Sequence, residues 1–298
     1  MQPQNNRSSR LGYAYVVLAA ALWASSGSAA KFLFLNGLYP LHLVQLRASI
    51  AASLLFLWFF TGKRHLLKIE RKDLPYFVLL GMALAAMQFT YLYAISKIHV
   101  AAAILLQYQA PVLIAGYALI FSRKRISSFT LAAIPVAIIG CYLMVGAYNL
   151  DILQLNGQGI ISGLASAFAF ALYSVKSEYG MRSYSPWTVV FYALLFASVI
   201  WNVMEPPLSA FTIAYSPVSW WWIFFIGVFG TIIPFGLYNE GVNLILSTRA
   251  SITATLEPVM AAAISFLFLG EVMKPLQITG AGLVIASIMM LQMRKDPE

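Results

Sequence analysis

Residues 91–116 read YLYAISKIHVAAAILLQYQAPVLIAG, and residues 238–263 read YNEGVNLILSTRASITATLEPVMAAA. The gapless alignment of these two copies continues to residues 146 and 293 at a constant offset of 147, since 238 − 91 = 147. Matching residues include Tyr91 and Tyr238, Ile98 and Ile245, Ala103 and Ala250, Pro111 and Pro258. Both copies are strongly apolar and long enough to cross a bilayer several times. An internal repeat in a polytopic membrane chain is typical of a transporter built from two related halves.

The composition also indicates a membrane protein. The chain has 298 residues, of which 61% are hydrophobic and 10% are charged, against about 25% charged residues in an average soluble domain. The net charge of +9 comes from 19 Lys and Arg against 10 Asp and Glu. In a soluble protein this balance would indicate nucleic-acid binding, but here the basic residues stand between hydrophobic runs, so membrane topology explains them. We therefore expect contact with the lipid bilayer and none with nucleic acid.

Cysteine and histidine form no ligand pattern in the sequence. Cys141 is the single cysteine and lies within an apolar run, which excludes an intramolecular disulfide and a cysteine-based metal framework. His42, His65 and His99 are scattered along the chain. We expect no metal site and no cofactor, and the sequence leaves the oligomeric state open.

Ten apolar runs are long enough to cross the hydrocarbon core, which takes about 20 helical residues. The first run follows Arg7 and Arg10, but it is long for a secretory signal, so we interpret it as a retained helix. The ten predicted spans are 12–32, 41–60, 74–95, 99–121, 128–147, 158–177, 187–204, 218–239, 248–269 and 275–293.

Basic residues favour one side of the predicted membrane. With the N-terminus in the cytoplasm, fifteen Lys and Arg residues fall in inside segments and three in outside segments, as the positive-inside rule requires. This predicts a multi-pass protein of the cell (inner) membrane with both termini in the cytoplasm. Five spans per half is an odd number, so the second half enters the membrane upside down relative to the first.

Charges at the end of the repeated helix agree with this inversion. Arg123-Lys124-Arg125 ends span four on the predicted cytoplasmic side, while its repeat partner, Gly270-Glu271-Val272, ends span nine outside and has lost the basic cluster. The predicted fold is an all-α polytopic membrane protein with ten transmembrane helices, arranged as two inverted five-helix repeats around a central cavity. Its predicted parts are a cytoplasmic N-terminal tail (1–11), a first repeat (12–147), an external linker (148–157), a second repeat (158–293) and a cytoplasmic C-terminal tail (294–298).

Several short motifs recur in a fixed order along the chain. They are Leu22-Trp23 in span one, Pro111-Val112 and Glu257-Pro258-Val259 in spans four and nine, Phe268-Leu269-Gly270-Glu271, and Gly280-Ala281-Gly282 in the last span. Together they resemble the drug/metabolite transporter superfamily, in its EamA-like branch, over essentially the whole chain. The resemblance implies a ten-helix secondary carrier with a central cavity that moves small metabolites, often as an exporter. The first half departs from the pattern, since Ser122-Arg123-Lys124 replaces the usual Gly-Glu, so Glu271 is interpreted as a helix-end residue.

Glu257 is the most central ionisable residue of the predicted spans. Its repeat partner is the neutral Ala110, and an ionisable group inside a span costs about 2.5–3.5 kcal/mol on insertion scales. In one interpretation Glu257 faces the cavity and binds a proton or a cationic group of the substrate. In the other it satisfies backbone donors beside the helix bend at Pro258. The sequence leaves both open.

Pro111 and Pro258 occupy matching positions in the middle of spans four and nine. Each removes a backbone donor and clashes with the preceding turn, and paired bends of this kind are candidates for hinges or for the binding site of a carrier. We predict hinges at both prolines. A merely kinked packing helix is the alternative.

Polar and aromatic side chains gather on the spans around these prolines. Amides are costly against lipid, so we expect most of them to face inward. The predicted substrate-binding residues are Trp23, Gln88, Tyr91, Gln107, Tyr238 and Glu257. Each tyrosine has an alternative role as an anchor at a membrane interface.

Arg47 lies about two turns inside span two, and Gly159 and Gly163 form a Gly-x-x-x-Gly face on span six. For Arg47 we favour a structural role, by snorkelling outward or pairing with an inward carboxylate, over attraction of an anionic group. The glycine face indicates a close helix contact, either within the chain or between protomers.

The predicted function is secondary transport of a small metabolite, an amino acid or a similar polar solute, by an exporter that works by alternating access. The chain carries no Walker motif, so ATP is not the driver, and coupling to protons through Glu257 is an open alternative. The second hypothesis is transport of organic cations or drugs, with aromatic rings and Glu257 as counter-charge. An intramembrane enzyme would need a nucleophile–base pair or a metal cluster at membrane depth, and a receptor would not explain the duplication. We therefore predict no enzymatic activity.

Overall fold

A computed structural model describes residues 6–123, 126–148, 156–269 and 274–293. The predicted C-terminal tail, most of the predicted linker, and parts of the two charge-reversed helix ends (Lys124 and Arg125, and 270–273) lie outside the described residues. The first helix begins at Asn6, earlier than the predicted residue 12.

All regular secondary structure in the described ranges is helical. A π-helical turn at Val228–Ile232 joins α9 to α10, and α10 contains one non-helical residue, Leu246, with φ of 67°. The helices are α1 (Asn6–Leu35), α2 (Pro40–Gly62), α3 (Leu74–Lys97), α4 (Val100–Gln107), α5 (Ala110–Ile120), α6 (Ser128–Met144), α7 (Gly157–Gly180), α8 (Pro186–Met204), α9 (Pro217–Gly227), α10 (Ile233–Ala254), α11 (Glu257–Leu269) and α12 (Pro275–Met293).

Eight helical segments of the described chain are long and apolar enough to cross a membrane. The chain is therefore a multi-pass membrane protein. The segments are Ser8–Leu35, Pro40–Gly62, Arg71–Lys97, Val100–Ile120, Gly157–Gly180, Pro186–Met204, Pro217–Ala254 and Pro275–Met293, with Ser128–Met144 as a shorter apolar helix.

The predicted spans four and nine are each divided into two half-helices. Span four becomes α4 and α5, and span nine becomes the end of α10 followed by α11. A proline ring clashes with the carbonyl four residues before it. That residue is Gln107 for Pro111 and Ala254 for Pro258, and α4 and α10 end at these two residues. The prolines therefore do more than bend the predicted helices, because they end one helix and stand in the first turn of the next.

Helix boundaries repeat along the chain at the offset of the sequence alignment. The starts of α5 and α11 differ by 257 − 110 = 147, and those of α6 and α12 by 275 − 128 = 147. The turn between α3 and α4 at Ile98 corresponds to the interruption of α10 at Leu246, one residue after the position that matches Ile98. Predicted span eight ends at residue 239, whereas the helix continues to the interruption at Leu246.

Close helix contacts repeat in the same way. A Cβ at Gly12 would lie 2.7 Å from the side chain of Ile245, and a Cβ at Gly159 would lie 2.6 Å from the side chain of Ile98. Both pairs are related by the same offset of 147. Gly163 packs against Leu106 of α4. The Gly-x-x-x-Gly face of α7 therefore makes its close contact within the chain.

The final helices of the two halves approach at their backbones. A Cβ at Gly280 of α12 would lie 2.5 Å from the backbone nitrogen of Met144 and 2.7 Å from the carbonyl oxygen of Gly140, both in α6. Contacts this short leave no room for a side chain. The α6–α12 pair therefore depends on glycine at this crossing.

Candidate functional site

A small cavity lies where helices of both halves meet. Its volume is about 40 Å³, and because a water needs roughly 10–15 Å³ of such space, the cavity has room for a few waters. Both half-helix junctions and the π-helical turn lie near it. Its walls are formed by Trp23, Ser26, Gly27, Arg47, Met87, Gln88, Tyr91, Leu92, Gln107, Tyr108, Phe170, Gly230, Phe235 and Glu257.

The Glu257 carboxylate lies in the cavity wall with only 3% of the residue exposed. Its Oε2 accepts a hydrogen bond of 2.7 Å from the Tyr108 hydroxyl, and its Oε1 accepts one of 3.4 Å from the Tyr91 hydroxyl. Glu257 is also the first residue of α11, where the positive end of the helix dipole stabilises an anion. The carboxylate of the second half is thus held by two phenols of the first half.

Arg47 lies inside the structure, with 5% of the residue exposed. Its Nε donates to the Thr231 hydroxyl oxygen at 3.0 Å and its Nη2 donates to the Gly230 carbonyl at 2.9 Å. Both acceptors belong to the π-helical turn, and Pro234, four residues after Gly230, has no backbone N–H to donate to the Gly230 carbonyl. The guanidinium therefore faces the cavity and neither snorkels outward nor pairs with a carboxylate of the described chain.

Gln88 and Gln107 bring two amides to the cavity wall. Gln88 is 1% exposed, and neither its amide oxygen nor its amide nitrogen has a hydrogen-bond partner in the described chain. Buried polar groups are nearly always hydrogen-bonded. An unpartnered amide at a cavity is therefore suited to a bound polar molecule.

Aromatic rings form another part of the cavity wall. The indole ring of Trp23 lies 6.3 Å from the Phe170 ring and 5.2 Å from the Phe235 ring, both in edge-on arrangements. Tyr238 stands behind this wall, with its ring 5.4 Å from Trp23 and its hydroxyl 2.8 Å from the Ser174 hydroxyl. Tyr238 is fully buried and does not line the cavity.

The structure brings five of the six predicted substrate-binding residues to one cavity: Trp23, Gln88, Tyr91, Gln107 and Glu257. Tyr238 packs behind the Trp23 ring. The predicted hinges Pro111 and Pro258 lie in the first turns of the half-helices α5 and α11, beside the cavity.

Sequence reasoning missed Tyr108, Phe170 and the cavity-facing position of Arg47. Two signals were present. Tyr108 lies next to Gln107, and Phe170 is the repeat partner of Trp23. Neither signal tells which way a side chain points.

Outside the cavity, the described residues contain no group of three or more His, Cys, Asp and Glu side chains that would hold a metal ion. Cys141 is fully buried, and its thiol lies 3.7 Å from the Thr255 carbonyl. The cavity itself combines one carboxylate, one guanidinium, amides and aromatic rings.

Comparison with known proteins identifies a common family. The profile of the EamA-like transporter family matches the chain twice, at residues 10–146 and 157–293. An uncharacterized transporter of Archaeoglobus fulgidus is 31% identical over 201 residues, which cover 67% of this chain and 70% of the relative. The uncharacterized inner membrane transporter YicL of Salmonella typhimurium is 29% identical over 293 residues, or 96% of each chain.

Two further matches extend along nearly the whole chain. The threonine/homoserine exporter RhtA of Escherichia coli is 22% identical over 292 residues, which cover 94% of this chain and 92% of RhtA. A crystal structure of a protein superposes with a TM-score of 0.75 at 16% identity, covering 96% of this chain and 97% of that chain. At this identity the likeness concerns the fold alone.

Proposed function

The chain belongs to the EamA-like transporter family, and from this premise we propose that it is a secondary transporter that exports a small polar metabolite, an amino acid or a similar solute. The observation that carries the proposal is the enclosed Glu257 carboxylate at the junction of two half-helices. Discontinuous helices supply the substrate and coupling-ion sites of many secondary transporters, since their ends present free backbone groups and dipoles.

The proposed architecture has ten transmembrane helices in two inverted repeats, 12–147 and 158–293, around the cavity. Two matches to one family profile and helix boundaries that recur at the offset of 147 support the duplication. The excess of basic residues in alternate segments supports inversion and cytoplasmic termini in the inner membrane. In this architecture α4 and α5 together form one crossing. The part of α10 after Leu246 forms another crossing together with α11.

Alternating access then requires the two halves to move around a fixed site. Pro111 and Pro258 are the second residues of α5 and α11. Each of these helices begins directly after a two-residue break, at 108–109 and 255–256. In the breaks, Gln109, Thr255 and Leu256 donate to carbonyls three residues earlier instead of four, and each proline removes a further helical donor, so we expect the chain to bend most easily there. We therefore assign the hinges to these junctions.

The assignment to an amino acid or a similar solute draws on the cavity and on one relative. RhtA is named as an exporter of threonine and homoserine, and the cavity combines a carboxylate with amide side chains and aromatic rings. The proposed binding residues are Trp23, Gln88, Tyr91, Gln107 and Glu257, with Tyr238 as support of Trp23.

A second candidate function is export of an organic cation. The Trp23 ring would attract a cation through its π face, and Glu257 would supply the counter-charge. Arg47 in the same wall opposes this candidate, because a guanidinium repels a cationic substrate.

The test is counterflow in proteoliposomes with a panel of amino acids, amines and nucleosides over a range of pH. Glu257→Gln keeps the shape of the side chain and removes its charge. Charge-assisted hydrogen bonds contribute about 1.5–3 kcal/mol, so we expect exchange to fall by about 10- to 100-fold. The pH dependence of exchange should also flatten if the carboxyl carries a proton during the cycle.

The matched control is Glu240→Gln, the same change on α10 outside the cavity, which should leave exchange near wild type. Wild-type exchange and pH response in Glu257→Gln would make Glu257 a structural residue. If the wild type exchanges none of the solutes, the carrier proposal is wrong.

A further inference from the structure

Arg47 brings a positive charge into the cavity that the described chain does not balance. Its two hydrogen bonds go to a hydroxyl and a carbonyl, both neutral acceptors. No acidic side chain of the described residues lies within ion-pair distance of it. Ionisable groups at membrane depth are expensive and almost always paired. The guanidinium is thus a buried cation without a counter-ion among the described residues.

The remaining donors of Arg47 are arranged to bind an anion. A guanidinium carries five N–H donors in a planar fork, and two of them are used by Thr231 and Gly230. The π-helical turn holds the group by its Nε side, so the edge formed by Nη1 and Nη2 is free within the described chain. That edge matches the two oxygens of a carboxylate, with two parallel hydrogen bonds.

Glu257 provides the opposite charge in the same wall without neutralising Arg47. Its oxygens are bound by Tyr91 and Tyr108, and it makes no ion pair with Arg47 within 4.0 Å. Each charged group is held in place by neutral partners. The cavity therefore presents one positive and one negative group as separate binding points.

Gln88 is a third, independent sign of a bound molecule. Both polar atoms of its amide are buried in the cavity wall without a partner. An amide in this state has one acceptor and two donor hydrogens to offer. A ligand with both a donor and an acceptor would satisfy them, whereas an apolar or purely cationic ligand would not.

We propose that the cavity selects a zwitterion, with the substrate carboxylate on Arg47, the substrate ammonium on Glu257, and Gln88 hydrogen-bonded to the same molecule. This assignment rests on the proposed transport function and narrows its substrate class. A zwitterion pairs with both buried groups at once and adds no net charge to the cavity during the crossing. A monovalent amine or a monovalent acid leaves one of the two groups unpaired.

The test uses counterflow of matched solutes that share one side chain. Each of the twenty proteinogenic amino acids is paired with the amine that lacks its carboxylate and the acid that lacks its amine. For threonine these are 1-amino-2-propanol and 3-hydroxybutanoate. We expect at least one amino acid to exchange about 10-fold or more faster than both of its truncated partners. Equal exchange of an amino acid and its amine would overturn the zwitterion assignment and leave the carrier proposal intact.

Arg47→Leu supplies the decisive variant, because it removes the guanidinium and leaves an apolar side chain that is compatible with a membrane helix. We expect amino-acid exchange to fall about 10-fold or more, and the preference over the matching amine to disappear. Arg47→Lys keeps the charge without the fork and should be intermediate. The control is Lys97→Leu, which removes an exposed positive charge outside the cavity and should keep both rate and preference.

A structural role for Arg47 predicts another outcome. All solutes would slow by the same factor and the amino-acid preference would stay, which would overturn the assignment. Size-exclusion profiles identify variants that fail to fold, and the wild-type preference tests the proposal without any variant. If the wild type exchanges no solute, the carrier proposal and this assignment both fail.

Discussion

The two helix breaks share a backbone and differ in chemistry. α4 ends at Gln107 and α10 ends at Ala254, at the same offset of 147 (254 − 107). In the first break the Tyr108 hydroxyl reaches across to Glu257, while in the second the Thr255 hydroxyl donates to the Ile252 carbonyl of its own helix, at 2.6 Å. The duplication thus repeats the backbone path of the chain. Because the residues at the two breaks have diverged, the chain has one acidic site instead of two equivalent ones.

The same division extends to the rest of the cavity. The first half contributes the polar residues Arg47, Gln88 and Gln107 to the wall. Apart from Glu257, the second half contributes apolar or small residues to the wall. A substrate would therefore meet the guanidinium and the amides on the first half and the carboxylate on the second half.

Charge is also reversed at a pair of equivalent positions away from the cavity, Lys31 and Glu178 (31 + 147 = 178). The Lys31 ammonium donates to the Ile95 carbonyl at 2.8 Å, near the C-terminal end of α3. The Glu178 carboxylate accepts from the backbone N–H of Ser247 at 2.9 Å, directly after the interruption at Leu246. A cation at a helix C-terminus and an anion at a helix start both agree with the helix dipole.

The largest expected effect comes from adding a second carboxylate, in the first half. Ala110→Glu places a carboxylate at the position equivalent to Glu257, but Ala110 is fully buried and does not line the cavity. An uncompensated buried charge costs about 3–5 kcal/mol, so we expect the free energy of unfolding in detergent to fall by that amount. Ala110→Gln, of the same size but neutral, is the control. A variant as stable as wild type would mean that the two breaks are chemically equivalent.

A smaller effect is expected where α6 and α12 cross. Gly280→Ala places a methyl group against the backbone of Met144 and Gly140, and overpacking of this kind costs about 1–3 kcal/mol. Gly282→Ala on the same helix meets nothing within 4 Å and should stabilise by about 0.5–1 kcal/mol. Thermal unfolding in detergent measures both variants. Equal midpoints would show that the close crossing does not contribute to stability.

The smallest expected effect concerns the reversed pair. Glu178→Gln and Lys31→Met each remove one charge from a helix end, and such charges contribute about 0.3–1 kcal/mol. We expect both variants to lose stability by amounts of this order in low salt. The difference from wild type should shrink in high salt because ions screen the interaction. Lys31→Arg keeps the charge and serves as control, and a loss that salt does not change would point to packing as its cause.

Much of the architecture was predictable because it depends on local patterns. Apolar runs predicted the membrane helices, the alignment predicted the duplication, and Pro111 and Pro258 marked where each helix is interrupted. Segment ends were less accurate. α10 continues past the predicted end at residue 239, since no local signal marks the interruption at Leu246. The described residues contain eight segments long enough to span instead of ten, because α6 has 17 residues and α11 has 13.

The site was predictable only in part. The amides of Gln88 and Gln107 are costly in lipid, so the sequence predicted that they face inward, whereas it left the role of Glu257 open. The placement of Tyr238 behind Trp23 and the approach of Tyr108 to Glu257 did not follow, because they depend on the rotation of each helix about its axis. A helix that is apolar on every side, as in a membrane, carries little contrast to reveal that rotation.

Three features of this protein follow from its sequence: it is a membrane protein, it contains an internal duplication, and prolines break its helices at two positions. Each of these follows from composition or from neighbours along the chain. The cavity-facing position of Arg47 depends on the tertiary fold, because its partners, Gly230 and Thr231, are distant from it in the sequence and belong to a π-helical turn. The fold also brings the Glu257 carboxylate of one half to the Tyr91 and Tyr108 hydroxyls of the other half. An alignment of the two repeats does not reveal this contact.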